Sequence, residues 1–71
     1  MTPEALKTYD MARLCDLLEA TTSRKYSTQV AMVRGWIMDA MEAKNPDGFN
    51  AWLDSDDNHD ADARKYLLGE L

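Results

Sequence analysis

Cys15 and His59 are the only cysteine and the only histidine in the 71-residue chain. One thiol closes no intrachain disulfide and assembles no multi-cysteine zinc site, so neither of the usual covalent or metal supports of a small domain is expected. Glycine is also scarce, at three residues, and none of the three sits in a phosphate-cradling loop or a nucleophile elbow. No apolar run approaches the roughly 20 residues that a bilayer span requires. Met1-Thr2-Pro3-Glu4 carries neither the basic segment nor the apolar stretch of a secretory leader. Together with the lone thiol this sets the expectation of a cytoplasmic protein with no membrane association. Strand-like alternation and internal repeats are missing as well.

Positive charge is in short supply. Eight Lys and Arg face thirteen Asp and Glu, a net charge of -5, and the imbalance has a location. From Met1 to Lys44 the acids and bases are equal in number; the whole surplus falls between Asn45 and Leu71, where only Arg64 and Lys65 oppose the acids. A protein that grips nucleic acid through phosphates needs a basic stripe, so direct nucleic-acid binding is not expected. At this length a chain buries only about 60% of the surface its unfolded form exposes, and a catalytic pocket of ordinary size is hard to house. An enzyme is not expected, nor a cofactor.

What is present is helical periodicity. Thr2-Pro3-Glu4 reads as an N-cap, a proline at the first helical position and an acid placed well for the helix dipole. From there Leu6, Met11, Leu14, Cys15, Leu17 and Leu18 share one arc, with Lys7 as an imperfection in it, and the spacing predicts a helix over 3–20. A second helix is predicted over 28–44, stopped by Asn45-Pro46 because the residue before proline avoids the α region. Its main face gathers Val30, Val33, Trp36, Ile37, Ala40 and Met41, while Ala31, Met32, Gly35 and Met38 lie behind. Phe49, Trp52 and Leu53 recur at i, i+3, i+4 and predict a short helix over 47–54. Ala63, Tyr66, Leu67 and Leu71 suggest a last one over 58–69. The expected fold is all-α: a single domain, a compact bundle of three to four helices with the second helix central and no sheet.

Two features invite a functional reading. The first is the back of the second predicted helix. A helix apolar on more than one side is normally covered on both, and Gly35 costs about 1 kcal/mol in mid-helix relative to alanine. Met32, Gly35 and Met38 are therefore candidate partner-binding residues, against the plainer expectation that the last two helices of the same chain fill that side. The second feature is the acidic run Asp54, Asp56, Asp57, Asp60 and Asp62. The early acids alternate as in a calcium loop, but His59 and Lys65 stand where that loop needs its glycine and its bidentate glutamate, and no metal is expected. The plain reading is that these acids cap the last helix; the functional one is a surface for a basic partner or an imitation of DNA phosphates.

Cys15 lies at the edge of an apolar arc, where cysteine behaves as a small hydrophobe, and His59 reads as a solvated loop residue. Arg24 and Lys25, between the first two helices, permit a helix-turn-helix reading in which Gln29 and Arg34 would meet the bases. Valine, methionine and tryptophan on that helix suit the role poorly. The function expected first is a small non-enzymatic interaction or regulatory protein that presents a helical surface to a protein partner or to a second copy of itself. An acidic DNA-mimic inhibitor of a nucleic-acid enzyme comes next, and a DNA-binding regulator third.

Overall fold

A computed structural model of the chain describes residues 2–56 and 59–69. All regular structure among these residues is helical: α1 (Pro3–Leu6), α2 (Met11–Thr22), α3 (Thr28–Lys44), α4 (Pro46–Asp54) and α5 (Ala63–Leu67), with a 3-10 turn at Asp60–Asp62 leading into α5. There are five α-helices where three or four were expected, because the first predicted helix is two. Thr8 ends α1 by donating its hydroxyl to the Ala5 carbonyl at 2.6 Å. Asp10 then adopts an extended backbone and accepts from the Arg13 N–H at 2.8 Å, capping α2. Such short side chains offer the backbone an alternative to the helical ladder. The guanidinium of Arg13 over the Tyr9 ring, 4.5 Å from its centre, fastens the same corner. The turn also removes the misfit at Lys7, which is exposed while Leu6 is buried as α1 packs on α3.

α3 and α4 occupy the expected ground, and one residue joins them. Asn45 closes α3 through its N–H to the Met41 carbonyl and caps α4 by accepting from the Gly48 N–H at 3.0 Å. Its side-chain amide donates to the Leu67 carbonyl at 3.3 Å, so the same side chain ties the end of α5. α5 is shorter than the predicted last helix. It stops at Gly69, whose φ of 72° is the left-handed conformation favoured just past a helix end. Leu71, a suggested member of that helix, lies outside the described residues.

The core gathers Leu6, Leu14, Cys15, Leu18, Ile37, Ala40, Met41, Phe49, Trp52, Ala63 and Leu67. Trp52 rather than Trp36 is the buried tryptophan; it packs edge-on to Phe49 with ring centres 5.8 Å apart and donates its indole N–H to the His59 carbonyl at 2.9 Å. Within α3 the buried residues are confined to Ile37, Ala40 and Met41, in the C-terminal half. Val30 and Val33, expected in the core, are only half-buried. No helix among the described residues is long and apolar enough to cross a membrane.

Candidate interaction surface

α3 holds the fold by one face and leaves another uncovered. Ile37, Ala40 and Met41 point into the core, and around the helix from them Ala31, Met32, Gly35, Asp39 and Glu42 are exposed. Met32 keeps 51% of its surface in solvent. A Cβ built on Gly35 meets nothing within 4 Å, so no other element among the described residues approaches it. The plainer expectation, that the last two helices cover the back of this helix, therefore fails at Ala31, Met32 and Gly35. Met38 is half-buried against the core and does not belong to the exposed strip. Tyr26, 81% exposed, stands just before the Ser27 cap of the same helix.

The acidic run divides into separate roles. Asp60 accepts a two-pronged pair from Arg34, Nη1 to Oδ2 at 2.7 Å and Nη2 to Oδ1 at 2.9 Å, and a further bond from the Thr22 hydroxyl. Arg34 also donates to the Thr21 hydroxyl at 2.8 Å. The Arg34 hydrogen bonds hold the Asp60 carboxyl below its ordinary range against the opposing effect of burial, and Asp60 in turn raises Arg34. Asp60 is thus a tie between α3 and the segment leading into α5. Of the role expected for these acids, the side-chain cap bond is not formed at the 3-10 turn or at α5, while Asp60 and Asp62 do stand in the first turn, where negative charge suits the dipole. Asp62 pairs with Lys65 at 3.3 Å. Asp54 and Asp56 are exposed and form no ion pair among the described residues; Asp57 lies outside them.

Arg64 completes the set of ties by donating to Asp16 and Glu19 of α2, which raises its own pKa, Asp16 contributing most. The helix-turn-helix reading loses Arg34 to Asp60. The DNA-mimic reading retains Asp54 and Asp56 among the described acids. Cys15 is fully buried and the His59 side chain is exposed. Among the described residues no group of three or more His, Cys, Asp and Glu side chains is placed to hold a metal ion.

A groove that sequence reasoning did not find lies at the turn end of the α2–α3 hairpin. Its lining combines the apolar side chains of Leu17, Val30, Val33 and Ile37 with the exposed cations Arg24 and Lys25, around a volume of about 590 Å³. It exists because the apolar face of α3 runs on toward its N-terminus beyond the stretch where the helix is buried. The sequence signal was available: Val30, Val33 and Ile37 follow one helical stripe directly after two cations. A smaller depression of about 440 Å³ at Glu19, Thr22, His59, Asp60 and Ala61 contains Thr22 and Asp60, which bond to each other, and Glu19, which pairs with Arg64.

Neither a family model, nor a curated protein, nor a solved structure matches the chain.

Proposed function

We propose that this is a small, non-enzymatic interaction or regulatory protein of the cytoplasm that offers the outer strip of α3 to a protein partner. The observation that supports it is the uncovered stretch Ala31, Met32 and Gly35 on a helix whose opposite face is anchored in the core. Rigid anchoring presents the strip without an ordering cost on binding. Methionine adapts its unbranched side chain to irregular apolar partners, and glycine admits another backbone closely because it has no Cβ.

Capture from the native host lysate, comparing the protein with its Met32→Glu and Gly35→Arg variants, tests this directly. Both positions are exposed and helical, so both variants should keep their helical circular dichroism. The expected result is a prey retained by the parent and depleted about tenfold or more by each variant, as when a central contact of roughly 1.4 kcal/mol is lost. An identical prey profile for folded parent and variants would end the proposal.

A further inference from the structure

The groove at the turn of the hairpin has a largely apolar lining and two cations, Arg24 and Lys25, that form no ion pair among the described residues. Its complement is on the other half of the same chain. Leu53 is 45% exposed and is flanked by Asp54 and Asp56, both exposed and both without an ion pair among the described residues. Of the three large hydrophobic side chains exposed among the described residues, Tyr26, Met32 and Leu53, only Leu53 stands beside unpaired acids. Asp54 is also the last residue of α4, where a negative charge opposes the helix dipole, and no cation among the described residues pairs with it to offset that.

We infer that the groove receives a second copy of this chain, with Leu53 seated on Leu17, Val30 and Val33 and with Asp54 and Asp56 facing Arg24 and Lys25. Each copy carries both halves of the contact. Two copies related by a two-fold axis form it twice and bury two apolar knobs in two grooves; the two-fold axis, rather than a head-to-tail repeat of the same contact, closes the pair as a dimer. The charge pairs set register and hasten encounter, while the leucine contact supplies the apolar burial. The inference is independent of the outer strip of α3, which lies on another face of the helix, and it survives or fails on its own test.

Sedimentation equilibrium over a wide concentration range on three proteins decides it: the parent, Arg24→Glu/Lys25→Glu, and Asp54→Lys/Asp56→Lys. The parent should show a reversible dimer that weakens as ionic strength rises from about 0.01 M to about 1 M, where the Debye length shrinks from ~30 Å to ~3 Å. Each charge reversal should weaken self-association by about tenfold or more. An equimolar mixture of the two reversed proteins should form a mixed dimer, because each then offers the other a matched groove and corner. All four positions are exposed; circular dichroism confirms folding, and the neutral pairs Arg24→Gln/Lys25→Gln and Asp54→Asn/Asp56→Asn stand in for a reversal that does not fold, with a smaller weakening expected. A parent that stays monomeric throughout would overturn the inference. So would a dimer indifferent to the substitutions, or reversed proteins that fail to associate when mixed.

Discussion

Gly48→Ala will lower the stability of this protein by about 2 kcal/mol, and the same substitution at Gly35 will raise it by about 0.5–1 kcal/mol. Both glycines are helical, and alanine is the better helix former at both. Their surroundings decide the sign. A Cβ at Gly48 would lie 2.5 Å from the Asn45 amide nitrogen and 2.6 Å from the Tyr66 carbonyl oxygen. The second atom belongs to the backbone of α5, so relief requires moving a helix. The first belongs to the side chain that caps α4 and bonds to Leu67, and losing a cap costs about 1 kcal/mol by itself. At Gly35 the Cβ enters open space and only the propensity gain remains. Chemical denaturation of the two variants beside the parent reads both effects. A stabilising Gly48→Ala would mean that α5 does not pack on the start of α4 as described.

Asp60→Asn will cost about 2 kcal/mol at neutral pH, in the range of a hydrogen bond to a charged group, and will shift the thermal midpoint down by about 10 °C for a domain of this size. The Asp60 side chain is 13% exposed and its Arg34 partner 27% exposed, so the substitution leaves a guanidinium partly desolvated and without its counter-charge. The pH dependence follows from the direction of the shift. Asp60 is held below its unfolded value by Arg34, so its contribution is fully present above the unfolded pKa of about 3.9. It is lost as pH falls from there through the folded value. The parent should therefore lose more stability between neutral pH and the acid range below about pH 4 than Asp60→Asn does. Adding Arg34→Met to Asp60→Asn should recover part of the loss, because the stranded charge is removed and Thr21 retains its bond to the Leu18 carbonyl. Equal acid sensitivity in parent and variant would show that the pair contributes nothing to the fold.

The elements that the sequence announced clearly are those whose signals are local. α3 and α4 were bounded by Asn45-Pro46 and by apolar spacing, and both stand where that spacing put them. The break between α1 and α2 was also written locally, in Thr8 and Asp10, but an unbroken apolar arc from Leu6 to Leu18 masked it. The misfit of Lys7 in that arc was the trace. The acidic run misled for the opposite reason. A capping aspartate and an aspartate that reaches an arginine 26 residues away look alike in one dimension, and only the fold brings Arg34 to Asp60. The surface of α3 was half legible: Met32 and Gly35 are uncovered, Met38 is not, and the groove below Val30 and Val33 depends on where α3 ceases to be buried, which no periodicity encodes.

The most direct test of the proposed role is an amide shift map of the isotope-labelled protein on titration with its captured partner. The account predicts perturbations centred on Ala31, Met32 and Gly35, with the core residues Ile37 and Met41 little moved because the helix is already anchored. Perturbations centred instead on Asp54 and Asp56, with the outer strip of α3 unmoved, would contradict it and transfer the function to the acidic corner.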